Sequence, residues 1–377
     1  MRRKLLRVLA GAVVLKALAF AWCAPPGEGD AESRLAYLSS ELRAAQPGAG
    51  TTAGEWHLVA LSMTGLAAAN QAFRHPETRA ERLALVESLT SRALEKSARR
   101  FDTRAWGADA LQTLAAGEGH VGYLGHLGLL LSTECTLGGR AHDAERRAVI
   151  GALERRFLAA PDGLIDTYPG EAWVPDNAVA LAAVALGARC EGRSAPQVLA
   201  RWPKDARTGL LRFTRRAGPR GSGAGWSSIY LPFVDEAFAR SQFEAAQRTF
   251  GWSALGLAAW REYPDGAGGS GDVDSGPLVF GLSPAGTGFA IAGATRYDAP
   301  LQRELLRTAE AAGTTVNLGG GRHYLFSPLV GDASVLAAKT ATAWDSRYAT
   351  WSVLAATASR SRTVTSFEMP GSSMVIP

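Results

Sequence analysis

The chain is poor in the residues that carry metal, redox and phosphate chemistry. Its 377 residues include only 3 cysteines and 6 histidines. There is no Cys-x-x-Cys pair, no His-Glu-x-x-His helix and no Gly-rich phosphate loop, which excludes the standard zinc, dithiol and nucleotide signatures. Charge is scarce as well, 20% of residues against 47% hydrophobic, and a chain this apolar buries a core and is not disordered. The excess of base is local: Arg2, Arg3, Lys4, Arg7 and Lys16 precede the first acid, Glu28, and beyond them bases and acids balance. No basic footprint for phosphate neutralisation remains, so nucleic acid is not an expected partner. Alternating strand patterns are also rare, with short strands expected only near Thr314 to Leu318 and Thr363 to Ile376.

What is present begins with a targeting pattern. A basic head leads into an apolar run, Val8 to Trp22, interrupted by Lys16 and carrying small residues at Ala19 and Ala21. Residues 1–22 read as a signal peptide or a retained N-terminal membrane anchor, since the run is shorter than the ~20 apolar residues that span a bilayer. Cys23 reads as a lipid attachment site only against the bulk of Trp22 before it. The expected location is outside the cytoplasm, periplasmic or anchored facing the periplasm. There Cys135 and Cys190, each ending an expected helix, either form a disulfide or remain buried thiols.

Residues 23–54 read as a flexible N-terminal segment, with loose stretches Ala24 to Asp30 and Gln46 to Gly54 around a short amphipathic piece. Residues 55–377 read as one all-α domain of about ten to twelve helices, one of them over Ala195 to Arg215. Two kinds of helix alternate. Ala141 to Ala159 bristles with Asp, Glu and Arg and belongs outside. Asn177 to Gly187 and Pro277 to Ala294 are apolar nearly all round and belong inside. Inner helices wrapped by outer ones predict an α/α toroid, an (α/α)6-like barrel, with a helical bundle as the alternative. Four polar, aromatic loops precede expected inner helices: 166–176, 221–236, 263–276 and 319–332. Parallel inner helices would gather them around one pocket.

The chemistry-bearing residues fall in these loops. Tyr123 and His126 share a helix face at the start of an apolar helix, where His126 is either an acid/base group or a hydrogen-bonded core residue. Asp166, Glu171 and Asp176 lie in an aromatic loop, where apolar walls raise carboxyl pKa values and make a general acid; Asp176 alternatively caps the following helix. Asp265, Asp272 and Asp274 punctuate a Gly-rich loop without the closing acid of a calcium loop, so no metal is expected. Tyr168, Trp173, Trp226, Tyr230, Tyr263 and Tyr324 offer aromatic surface for an alkenol or a sugar ring, or simply pack the core. The stretch from Gly221 to Gly225 reads as a flexible loop.

Taken in order, several motifs resemble the bacterial linalool dehydratase/isomerase family. They are the Tyr123-x-Gly125-His126-Leu127 helix, the Gly138-Gly139-Arg140 loop, the stretch Pro169 to Ala180, the loop Asp272 to Gly276 and Arg322-His323-Tyr324, covering roughly Trp56 to Thr342. The resemblance implies an α/α toroid, cofactor-free dehydration or isomerisation of a terpene alcohol, and homo-oligomers. It matches His126 to the family histidine. Where the family has its second active-site cysteine this chain has Asp176, and near the first it has Asp166 or Thr167. The expectation is a small-molecule lyase or isomerase with His126, Asp176, Asp166 and Tyr123 as catalytic groups. Tyr168, Glu171, Trp173, Trp226, Tyr230, Asp272, Asp274 and Tyr324 are the expected substrate contacts. The alternatives are a glycan hydrolase, epimerase or lyase on the same fold, and a non-catalytic binder of a hydrophobic ligand or an envelope protein.

Overall fold

The computed structural model describes residues 28–344, apart from 49, 116, 266, 319 and 320, together with positions 11, 12, 14–16 and 19. Cys23, most of the expected signal or anchor and the expected strand at Thr363 to Ile376 lie outside the described residues. Contacts divide the chain into Met1–Ala343 and Trp344–Pro377, and every element below belongs to the first unit.

The protein is mostly helical. In chain order the helices are α1 (Glu28–Ala44), α2 (Thr51–Arg74), α3 (Arg79–Ala93), α4 (Arg100–Trp106), α5 (Val121–Thr136) and α6 (Asp143–Ala159). They continue with α7 (Val174–Cys190), α8 (Gly221–Tyr230), α9 (Glu236–Phe250), α10 (Pro284–Tyr297), α11 (Ala299–Gly313) and α12 (Leu329–Lys339). Two antiparallel hairpins complete them, β1 (Gly251–Ala254) with β2 (Leu257–Trp260), and β3 (Thr315–Leu318) with β4 (Gly321–Tyr324).

Small residues decide which helices sit deepest. In α7 every position from Asn177 to Ala188 is buried, and α5 is buried along almost its whole length. Glycine lets these two meet: a Cβ on Gly125 would stand 3.1 Å from that of Ala180, and one on Gly128 3.2 Å from that of Ala183. The same device joins α8 to α10, where a Cβ on Gly225 would come within 3.0 Å of the Gly286 carbonyl. The run Gly221–Gly225, expected to be a flexible loop, is therefore helix; its glycines serve close approach rather than mobility.

Packing follows a fixed succession. Helix α2 packs on α5, α5 on α7, α7 on α8, α8 on α10, α10 on α12, and α12 returns to α2. Around these six, α3 packs on α2 and α5, α6 on α5 and α7, α9 on α8 and α11 on α10. Helix α12 runs parallel to α2, since Asn70 and Arg74 at the end of α2 donate to the carbonyls of Ala337 (3.2 Å) and Ala341 (3.0 Å) at the end of α12.

Three expectations change. Segment 23–54 is not simply flexible, because α1 buries Leu35, Leu38 and Leu42 against α12 and α2. The expected helix over Ala195 to Arg215 is a 3-10 turn at Leu199–Arg201 followed by turns, because Pro203 interrupts it and Asp205 accepts from the Thr208 amide (2.9 Å) and hydroxyl (2.8 Å). The inner helix expected from Pro277 starts at Pro284, where Ser283 caps the Gly286 amide at 3.0 Å. Cys135 and Cys190 form a disulfide, Cα atoms 6.4 Å apart, joining the C-terminal ends of α5 and α7.

A buried ionic cluster fixes α1. Arg34 holds Asp30 (2.9 Å), Glu310 (3.0 Å) and Asp332 (3.2 Å), and its guanidinium lies 3.9 Å from the centre of the Tyr324 ring. Lys339 and Arg322 also pair with Asp30. Cutting one member from such a network leaves its partners charged and dry. Arg34→Met is expected to lower unfolding free energy by about 3–5 kcal/mol in chemical denaturation. A loss no larger than the ~1 kcal/mol of a surface ion pair would refute that role.

Candidate functional site

The N-terminal parts of five of the six deep helices converge on a cavity of about 50 Å³, lined among others by Glu55, His126, Asp176, Trp226 and Asp274. On this measure, one water needs about 10–15 Å³, so the space holds more than a single solvent molecule. Its walls are aromatic: Trp56 from α2, Trp173 and Phe213 from the connections, Trp226 from α8 and Phe289 from α10. Trp226 is the hub, its ring centre 5.9 Å from that of His126, 5.6 Å from Tyr230 and 4.8 Å from Phe289.

Local sequence explains how the acid of α7 arrives there. The Tyr168–Glu171 turn closes with the Glu171 amide donating to the Tyr168 carbonyl at 2.9 Å, Gly170 supplying φ +80. Asn177 then staples the loop to its helix, accepting from the Ile165 amide (2.8 Å) and donating to the Ile165 (2.9 Å) and Trp173 (2.8 Å) carbonyls. The N-cap is Trp173, with no side-chain cap, so Asp176 is not spent on capping. It stands in the first turn with Oδ2 buried and unpartnered. Burial, then the charges of Glu55 and Asp274, push its pKa up to about 8 against the pull of the Thr167 hydroxyl.

The other acids behave alike. Asp274 is pushed up to about 7 by burial and by Asp272 and Glu55, with Arg220 opposing. Glu55 is raised by burial although the Tyr168 hydroxyl donates to it at 2.8 Å. These carboxyls repel one another's charge, so all three are raised and titrate as a set, and Asp176 is the one that keeps its proton at neutrality. His126 does the reverse. It is 3% exposed, and burial drives its pKa down to about 3. Its Nδ1 lies 2.6 Å from the Ser62 hydroxyl oxygen, and that hydroxyl donates to the Val59 carbonyl at 3.0 Å. This chain of bonds assigns Nδ1–H as the donor and leaves the Nε2 lone pair for the cavity. The site thus combines a neutral acid, Asp176, with a neutral imidazole. Among the described residues no group of His, Cys, Asp and Glu is arranged to hold a metal ion.

Of the residues singled out by sequence, His126, Asp176, Trp173, Trp226 and Asp274 line the cavity, and Tyr168 reaches it through Glu55. The others stand elsewhere. Asp166 pairs with Arg215, which also holds Asp162 at 2.7 Å, so it fastens the loop at the surface. Tyr123 turns to outer helix α3, donating to the Ala93 carbonyl at 3.0 Å. Glu171 is exposed, accepting from Trp173 Nε1 at 3.4 Å. Tyr230 is core, its hydroxyl 3.4 Å from Met63 sulfur. Asp272 pairs with Arg220 at 2.7 Å. Tyr324 donates to Glu310 at 2.8 Å inside the ionic cluster, and none of the described residues of the loop 319–332 lines the cavity.

Sequence reasoning missed Glu55, Trp56, Phe213 and Phe289. A signal for Glu55 existed: it opens a helix with no other acid or base before Arg74 except His57, the same pattern that marks Asp176. No protein-family model matches the chain, and no curated protein matches it.

A carboxyl whose folded pKa lies above its ordinary value of 3.8 keeps its proton longer in the folded than in the unfolded chain. Stability therefore falls as pH rises from about 4 to about 8. Asp176→Asn removes that term, so the variant is expected to gain thermal stability over the unsubstituted protein progressively across this window. Melting curves that stay parallel from pH 4 to pH 8 would contradict the assigned protonation.

Proposed function

We propose that the chain is an exported, cofactor-free carbon–oxygen lyase or isomerase of the linalool dehydratase/isomerase kind, acting on an uncharged, partly apolar alcohol. The observation that carries this reading is Asp176, held neutral in an aromatic cavity with raised Asp274 and Glu55 beside it and a neutral histidine in the same wall. The motif resemblance from Tyr123 to Tyr324 supports it, and so does the closed succession of six inner helices, which fits an α/α toroid.

Asp176 is the general acid. It donates its proton to the substrate hydroxyl, the carbon–oxygen bond breaks, and the bonding pair leaves with water. Nε2 of His126 takes a proton from the neighbouring carbon, and the C–H pair becomes the new double bond. The fall in imidazole pKa caused by burial reverses as Asp176 becomes an anion nearby, so the proton moves without leaving a net charge in the cavity. Return of that proton from His126 to Asp176 restores the starting state. Isomerisation follows when, before His126 removes the carbon proton, the departed water attacks the other end of the allylic cation through an oxygen lone pair and returns one of its protons to the Asp176 carboxylate, so the hydroxyl has moved and the acid is restored. Aromatic walls favour an alkenyl chain over a charged or strongly hydrated substrate.

The test is turnover of terpene alcohols, with short glycans as a contrast, followed by mass spectrometry. Alkenol conversion is expected to fall by about 10²–10⁴-fold in Asp176→Asn, the range of general acid catalysis. Activity is expected to decline above about pH 8 as Asp176 loses its proton. Full activity in the variant, or conversion of glycans alone, would overturn the proposal.

A further inference from the structure

We propose that the cavity end of the protein docks on a lipid bilayer through the tips of two loops, 273–280 and 325–326. Val273, Val279 and Phe280 stand in the first and Leu325 and Phe326 in the second, all large, apolar and exposed, with Phe280 at 98% and Phe326 at 73%. The first loop contains Asp274 of the cavity wall and leads into α10; the second leads into α12, which packs beside α10. Since α12 runs parallel to α2, both tips lie at the end where the helix N-termini meet. Among the described residues beyond 28, the other exposed large hydrophobics stand singly, Leu158 at the C-terminal end of outer helix α6 and Leu255 in a hairpin tip held by Arg307 of α11 (3.4 Å to the Gly256 carbonyl).

The fold gives no reason for Phe280. Val279 and Leu282 exchange hydrogen bonds of 3.1 and 3.0 Å, and Phe280 (φ +53) and Gly281 (φ +80) form the corner between them. Two left-handed residues at such a corner call for Asn-Gly or Asp-Gly, and an aromatic side chain there strains the backbone. A strained phenyl ring held in water is explained by something outside the chain that buries it.

The occupant follows from the N-terminus. Lys16 of the apolar run hydrogen-bonds the Thr314 hydroxyl, and the Thr314 carbonyl accepts from the Leu325 amide at 2.9 Å. Exposed Val14 and Leu15 thus continue the patch of Leu325 and Phe326. A run too short to span a bilayer, headed by Arg2, Arg3, Lys4 and Arg7, suits a membrane surface, and the loops extend that surface to the cavity. Among the described residues no helix is long and apolar enough to cross a membrane.

The test uses the full-length chain with vesicles of phosphatidylcholine and phosphatidylglycerol. In a Cys23→Ser background, so that no native thiol is labelled, an environment-sensitive dye is attached at Val279→Cys and, as control, at Arg193→Cys beyond the opposite ends of α5 and α7. A blue shift with vesicles is expected at 279 and not at 193. Phe280→Asn/Phe326→Asn is expected to weaken flotation with vesicles by about tenfold or more, the scale of burying two aromatic side chains. Because asparagine suits the turn, an unchanged or higher melting temperature separates this loss from misfolding. Equal flotation of the variant, no shift at 279, or self-association of the chain without lipid would each overturn docking. Alcohol turnover is scored separately, so failure of one reading leaves the other standing.

Discussion

Close approach of alanine- and glycine-lined helices is the constraint on which the rest depends. Helices α5 and α7 touch through Gly125, Gly128, Ala180 and Ala183, and α8 meets α10 through Gly225 and Gly286. Larger side chains at these contacts would push the helix axes apart and open the space between their N-termini. The walls would then admit water, and the acids would return toward ordinary values. Packing and acidity are in this sense one property.

The molecule holds two groups of buried acids, one supplied with bases and one mostly without them; against its burial, bases pull Asp30 down, while burial still lifts Asp332 to about 7 beside Arg34. Around Arg34, the acids Asp30, Glu310 and Asp332 receive Arg34, Lys339 and Arg322, and the result ties α1, α11, β4 and α12 together. Around the cavity, Glu55, Asp176 and Asp274 receive a tyrosine, a threonine and each other. Arg220, which pulls on Asp274, is occupied by Glu262 and Asp272. Burial without a counter-ion stabilises nothing, and a fold gains no advantage from it. In the proposed function the raised acids of the cavity are the ones put to use, because they line a space that a substrate can enter, whereas Asp332, also raised, is closed in by Arg34 and the Tyr324 amide.

The helical class was legible because the two patterns, apolar all round and arginine-rich on one side, are written in composition. Loop identity was less so. Gly221–Gly225 reads locally as a loop, and only the distant presence of Phe213 and Gly286 turns its glycines into contact points. Asp176 and His126 were visible as lone polar groups at the start of apolar helices, and Glu55 carried the same mark. Tyr123, Tyr230 and Tyr324 were not separable from them, because whether a tyrosine faces a cavity or a carbonyl depends on which helix lies behind it. Asp166 was misread for a related reason: its partner, Arg215, is distant in sequence and approaches only through the turns after Pro203.

The acids of the cavity also stand where helix dipoles converge, and the two influences oppose each other. A helix N-terminus favours an anion by about 0.3–1 kcal/mol, less than one pKa unit each. Asp176 nevertheless moves from its ordinary 3.8 to about 8, so loss of water and the repulsion of neighbouring carboxyls outweigh the dipoles. The balance shifts once Asp176 gives up its proton. At that moment the N-terminal dipole of α7 stabilises the carboxylate that forms, and a proton on His126 faces it across the cavity. Positive potential that is of little help to the resting acid is thus in place for the ionised state, where charge appears during bond breaking. A substrate bringing its own negative charge would take up that potential beforehand, which is why the proposed reaction is assigned a neutral substrate.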